Sequence, residues 1–225
     1  MHFSTLLILV LALPLAARDL SLTPSEFVVS PGQRIAVAVE GGGTVPGRLR
    51  DAALYTPKGV YNVVNLRADG ATIVGDATIP ARGTLILTVR TTPEIVARER
   101  RTSHAKAMVL CEAKDDHYGR VTGLAFEFIP EANPYRLASG DRLPVRLLLH
   151  GRPAAGIEVR LAHGDDAMQA AGRTDSAGRI AVPITALGRW QLHAVAREKS
   201  AESRAADWEA ISTSLTFSLP EPAGP

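Results

Sequence analysis

The chain has one cysteine, Cys111, so it cannot close an internal disulfide and its fold must be held by its core. Its basic residues are scattered and the net charge is only +2, which removes the electrostatic case for nucleic acid. Its markedly apolar stretch, Thr5 to Ala17, is shorter than the roughly 20 residues of a bilayer-spanning helix. There is no nucleophile elbow, no His-Glu-x-x-His zinc helix and no dinucleotide fingerprint. Gly41-Gly42-Gly43 lacks the lysine and following helix of a phosphate loop, and reads as a loop between strands. Ser103 and His104 are adjacent, but a dyad must meet through space with a third orienting group. Cys111 falls inside an alternating strand, where a thiol is inert. These absences lead to the expectation of a protein that is not an enzyme.

What is present starts with the leader. Thr5 to Ala17 carries no acid or base and stops at Arg18-Asp19, so residues 1–17 are expected to be a signal peptide and the protein periplasmic or secreted. No cysteine lies at the expected cleavage point, which excludes a lipid anchor on that residue type.

The whole chain is 46% hydrophobic and 21% charged, the composition of a folded protein, and beyond residue 17 it is long enough for one large or two ordinary domains. In Arg34 to Glu40, Ile35, Val37 and Val39 alternate with Arg34, Ala36 and Ala38, the period of a half-buried strand. Ser25 to Ser30 precedes it across the turn Pro31-Gly32-Gln33. Short β-like runs follow at 49–55, 60–66, 72–79 and 84–89, separated by Pro57-Lys58-Gly59, Asp69-Gly70 and Arg82-Gly83. Thr92-Pro93-Glu94 carries helix-start signals, so one or two helical turns are expected over 95–101. Runs 105–113 and 121–129 are expected to form a hairpin around Asp115-Asp116-His117-Tyr118-Gly119.

The second half alternates more cleanly. Val145, Leu147 and Leu149 face one way, as do Ile157, Val159 and Leu161, then Trp190, Leu192 and Ala194, and finally Ile211, Thr213, Leu215, Phe217 and Leu219. Gln191 and His193 are expected outside, with His163 a second, separate surface histidine, and His150 in a turn. Thr174-Asp175-Ser176-Ala177-Gly178 has an acid that can bond the backbone two residues on and a glycine for positive φ. It is therefore expected to join 168–173 and 179–184 as an antiparallel hairpin. Trp190 is the expected core anchor. The fold class expected is all-β: two consecutive β-sandwich domains, 18–130 and 131–220, and a tail at 221–225. The second sandwich is expected to be immunoglobulin-like or transthyretin-like with about seven strands.

Several segments together carry a resemblance: Asn133-Pro134-Tyr135, 143–149, Gly151-Arg152-Pro153, 173–179, Gly188-Arg189-Trp190 and Asp207-Trp208-Glu209 with 215–217. Ser103 to Ala107 and Ser25 to Gln33 add to it more loosely. The chain resembles a bacterial periplasmic family of unknown function whose members are often described as nickel-uptake (NikM-like) proteins. The resemblance implies an exported two-domain β-protein, in some members linked to nickel or cobalt uptake, with membrane components of a metal-uptake system as partners. Family members commonly carry a histidine at the mature N-terminus. Here the equivalent stretch is Arg18-Asp19-Leu20, which lacks that imidazole donor.

Within the chain, the residues with ligand chemistry for nickel, cobalt or zinc are His104, Glu112, Asp115, Asp116 and His117. Asp175, Gly178, Trp190 and Trp208 are assigned structural roles. Two functions are expected in competition: an exported binding or accessory protein for transition-metal uptake, and a cell-envelope module that binds protein or carbohydrate through loops such as Asp115-Asp116 or Asp165-Asp166.

Overall fold

The structure is a computed structural model and describes residues 20–41, 48–112 and 117–220. The expected signal peptide, the 221–225 tail, and Asp115 and Asp116 lie outside the described residues. The described chain is all-β, as the turn-punctuated short runs predict, and contains no α-helix. Its strands are β1 (Ser21–Pro24), β2 (Val28–Val29), β3 (Arg34–Glu40), β4 (Leu49–Thr56), β5 (Gly59–Asn62), β6 (Val64–Asp69), β7 (Thr72–Thr78), β8 (Gly83–Thr91) and β9 (Glu94–Val96). They continue as β10 (Glu99–Cys111), β11 (Phe126–Pro130), β12 (Arg142–Leu149), β13 (Arg152–Pro153), β14 (Glu158–His163), β15 (Gln169–Arg173), β16 (Arg179–Pro183), β17 (Gly188–Lys199) and β18 (Trp208–Leu219).

The strands form three sheets. The first has the order β1-β3-β7-β6. The second is ten-stranded, β15-β14-β17-β18-β10-β8-β4-β5 with β2 and β9 attached to β10. The third is β11-β12-β13 with β16 on β12. Side chains alternate along a strand, and on β10 both directions are buried. Ala105, Ala107, Val109 and Cys111 enter a core with Val37 and Ile73 from the first sheet and with Leu20, which precedes β1. Met108 points the other way, into a core with Phe126, Phe128, Leu147 and Trp190. The ten-stranded sheet is thus the middle layer, covered by the first sheet on one face and by the third on the other. Its two halves are joined where β10 runs parallel to β18, from Glu99 opposite Trp208 to Ala107 opposite Thr216.

Four local expectations are corrected. The 92–101 segment is not helical: β9 pairs antiparallel with β10, and Ala97 and Arg98 turn the chain at φ 48° and 62°. Two positive-φ residues make the tight hairpin turn that matches strand twist. Arg98 anchors it by donating two 2.7 Å bonds to the Asp207 carboxylate. The β10–β11 hairpin does not form, because β11 pairs with β12 in the third sheet. The boundary expected at residue 130 therefore falls between two paired strands. His193 is buried, 2% exposed; its register partner Ser214 donates to Leu20 O at 2.7 Å, so that part of the face lies under the N-terminal strand.

The fourth correction concerns the Thr174–Gly178 turn. Its chemistry is as expected: Asp175 Oδ1 accepts from the backbone of Ala177 and Arg179, each at 2.8 Å. The flanking strands, however, separate, β15 joining β14 and β16 joining β12. Gly178 lies against β12, where its carbonyl accepts from Leu147 N at 2.8 Å. A Cβ there would lie 2.7 Å from Leu147 O and 2.9 Å from Ala154 N, at φ +72°. The turn is a corner between sheets, held by Thr174 Oγ1 donating to Ala154 O at 2.6 Å.

Gly178→Ala is expected to lower stability by at least about 2 kcal/mol through clash and backbone strain together. Gly32→Ala, with φ +81° but nothing within 4 Å of its Cβ, is expected to cost about 1 kcal/mol. Urea midpoints at unchanged m-value measure both.

Candidate functional site

Lys106 projects from the middle strand into the third-sheet layer with 0% of its surface exposed, and Glu127 on β11 meets it at 1% exposed. The ammonium donates to Glu127 Oε2 at 2.9 Å, Phe128 O at 3.0 Å and Arg120 O at 3.4 Å. The carboxylate also accepts from Thr122 N, Thr122 Oγ1 and Gly123 N at 3.0, 2.7 and 3.1 Å. Burial pushes the Lys106 ammonium down, with Glu127 opposing. For Glu127, desolvation raises the carboxyl, but Lys106 and the Thr122 donors outweigh it and the net direction is downward. The hydrogen bonds of the pair are filled, and it ties the 117–125 segment to β10. Tyr55 O–H donates to Thr122 O at 3.1 Å, and the Arg120 guanidinium stacks 5.2 Å from the Tyr55 ring centre while donating to Thr56 O at 2.7 Å.

Of the sequence-predicted metal candidates only His117 lies on this segment, and the structure distributes the described ones. His104 lies inside, 3% exposed, on the same face of β10 as Lys106, with its ring bonded to the Phe126 backbone. Burial, then the Arg90 charge, brings its pKa from 6.5 down to about 4. Glu112 is at the solvent end, 3.2 Å from Arg82 Nε. Extended chain at about 3.3 Å per residue puts His104 and Glu112 about 25 Å apart, too far to share an ion. His117 begins a short 3₁₀ turn, His117–Gly119, and lines an open cleft of about 630 Å³ with Arg120, Glu131 and Arg146. Among the described residues no group of three or more His, Cys, Asp and Glu converges as a metal cage. Cys111 is buried, and burial raises its thiol.

A second cleft, of about 510 Å³, lies where the first sheet stops at its edge strand β1. Beyond β1 the same face of β17 and β14 is open and polar. Ser21 and Thr23 of β1, Glu40 at the end of β3, Arg160, Gln191 and Asp166 face this space. The 164–168 turn walls it. Arg189 bonds the Asp165 carboxylate and donates to Gly164 O at 2.8 Å, while Arg160 donates to Met168 O at 3.0 Å. The sequence marks Asp165-Asp166 as a loop, but not the approach of β1, which is set by pairing with β3.

The structural residues fall as follows. Trp190 is 3% exposed and its Nε1 donates to Ala186 O at 3.0 Å. Trp208 is half-buried under the Arg197 guanidinium, 4.3 Å from its ring centre. Tyr135, within the Asn133-Pro134-Tyr135 segment, donates its O–H to Met108 O at 2.7 Å and so ties the start of the second half to β10.

Three sheets in layers and two apolar cores define an all-β, sandwich-like protein, with clefts lined by charged side chains at its surface. The chain belongs to the family described as a domain of unknown function, DUF4198, which matches residues 15–198. No curated protein matches it. Among solved structures it is similar to two forms of Salmonella alpha-2-macroglobulin. The Y1175G mutant is 11% identical over 88% of this chain and 15% of that one, with a TM-score of 0.29. The methylamine-reacted form is 12% identical over 91% and 15%, with a TM-score of 0.31. A tetra-tandem repeat from the extending region of a large adhesion protein is 13% identical over 90% of this chain and 49% of that one, with a TM-score of 0.31. The chain therefore spans about 15% of the length of the macroglobulin and about half of the adhesin segment.

Two outcomes are expected. Lys106→Met strands the Glu127 charge in the core and should cost about 3–5 kcal/mol, whereas Lys106→Met with Glu127→Gln should recover part of that loss in a double-mutant cycle. His104 is neutral when folded and binds a proton more readily when unfolded. Its contribution is therefore complete above pH 6.5 and lost as pH falls toward 4, about 3 kcal/mol in all. Denaturation midpoints across that range should fall for the native protein and flatten for His104→Leu.

Proposed function

We propose that the protein is an exported, non-enzymatic binding module of the cell envelope, which engages a protein or glycan partner through the cleft between β1 and the 164–168 turn. The observation that carries this reading is the cleft itself: a polar space of about 510 Å³ at a sheet edge, walled by a turn held by its own ion pair. Arg160, Gln191, Glu40 and Asp166 offer donors and acceptors of both signs, suited to a polar chain rather than an apolar small molecule. The outward edge of β1 adds backbone groups that an extended partner can pair with. Export rests on the apolar Thr5 to Ala17 segment. A buried, raised thiol at Cys111 supports a non-enzymatic role.

A finer reading, a part in nickel or cobalt uptake beside membrane components, rests on the sequence resemblance. One structural observation favours it: His117 and Glu131 line the same cleft, and imidazole with carboxylate is a donor set for those ions.

A photo-crosslinking residue placed at Gln191 should capture an envelope component in cells, and Arg160→Glu should abolish the capture. The same probe at Val60, on the opposite edge strand β5, should capture nothing. Equal capture from both positions, or none from either, removes the cleft reading. For the metal reading, nickel or cobalt should raise the melting temperature, and His117→Ala should cancel the rise; no rise at saturating metal ends it.

A further inference from the structure

We infer that His163 and Asp166 form a binding site for one divalent transition cation, separate from the residues considered for metal above and independent of the cleft-binding reading. His163 Nε2 lies 2.6 Å from Leu187 O. A carbonyl can only accept, so Nε2 carries the proton and, in the neutral ring, the Nδ1 lone pair is free. That tautomer, with one ring N–H given to a backbone carbonyl, is the arrangement that orients metal-binding histidines. Nδ1 lies 4.0 Å from Asp166 Oδ2.

The surroundings hold the ring and leave its partner adjustable. The imidazole packs on Trp190 with centres 4.8 Å apart. Gly188, at φ +98°, follows the carbonyl that accepts from Nε2, and a Cβ there would come within 3.4 Å of that nitrogen. The turn closes through Asp166 N donating to His163 O at 3.0 Å and Gly164 N donating to Arg189 O at 2.8 Å. The His163 side chain is 34% exposed and that of Asp166 is 71% exposed.

Metal–nitrogen and metal–oxygen bonds near 2.1 Å at a tetrahedral angle place two donors about 3.4 Å apart, so Asp166 must close by only about 0.6 Å. Both residues line a cavity of about 230 Å³ beside Thr185 and Gln169, which leaves the remaining coordination positions to water or to a bound partner. One imidazole and one carboxylate select a zinc-, nickel- or copper-like ion over magnesium or calcium, which prefer oxygen alone. Asp166 also faces the cleft beside β1, so an ion held here presents open positions toward it.

Zinc titrated into the purified protein tests the site, followed by imidazole nitrogen NMR and calorimetry. The expected result is a zinc-dependent shift at His163 Nδ1 with Nε2 still protonated, no response to magnesium, and binding at least tenfold weaker in Asp166→Asn and in His163→Gln. His150→Gln, which removes a histidine paired with Glu198 at 2.9 Å, should bind zinc like the native protein. Unshifted His163 resonances at excess zinc, or native affinity in Asp166→Asn, overturns the assignment. Should His163→Gln fail to fold, the exposed Asp166→Asn variant decides alone.

Discussion

Backbone hydrogen bonds join β10 to β18 in parallel from Glu99–Trp208 to Ala107–Thr216, and the placing of every other sheet follows from that ladder. A parallel pair cannot be made by a hairpin, so the chain must travel through the whole third sheet before β18 returns to β10. With β8 on its other side, β10 becomes a central strand of a sheet covered on both faces. The two apolar cores then lie back to back across it. Each sandwich uses one face of the same strand, so neither can be removed without uncovering the other.

A doubly buried strand makes any charge on it costly, since an unpaired ion in a low-dielectric interior loses its hydration without return. Lys106 meets that requirement by spending all three donors, and Glu127 by accepting from the 122–123 backbone and the Thr122 hydroxyl. The consequence is positional. The 117–125 segment, which runs between two sheets, is tied to the core by electrostatics rather than by strand pairing, and His117 and Arg120 are carried with it to the rim of an open cleft. A buried ion pair of this kind is weak evidence for stability but good evidence for a specified geometry.

The second cleft arises from unequal sheet widths. The first sheet is four strands wide and ends at β1, whereas the middle sheet continues past it to β14 and β15. Polar residues on the uncovered part, Arg160 and Gln191, are what an open sheet face requires, and they line the cleft. The 163–168 turn beside it is held by local contacts: the Arg189 ion pair with Asp165, the Arg189 bond to Gly164 O and the His163 bond to Leu187 O.

Alternation and turn chemistry are legible in the sequence: the strand runs of the first half, the inward row from Ile211 to Leu219, and the Asp175–Gly178 turn follow from local sterics and hydrogen bonding. The helical expectation over 95–101 failed because capping signals are weak beside a strand ladder made available by β10. The outward placement of His193 failed because alternation assumes one solvated face, and β1 covers that part of it. Of the residues that line the clefts and cavity, the sequence singled out His117 and Asp165-Asp166 and gave His163 no role. It had no signal for Lys106 meeting Glu127, because a lysine in an apolar alternation looks like a solvated position. By itself, then, the sequence determined the all-β class, most strand positions and the turn chemistry, all set by interactions within a few residues. Only the tertiary structure decided which strands pair, which faces are covered and which charges meet, because the partners of β10 lie on distant parts of the chain and local preference carries no information about them.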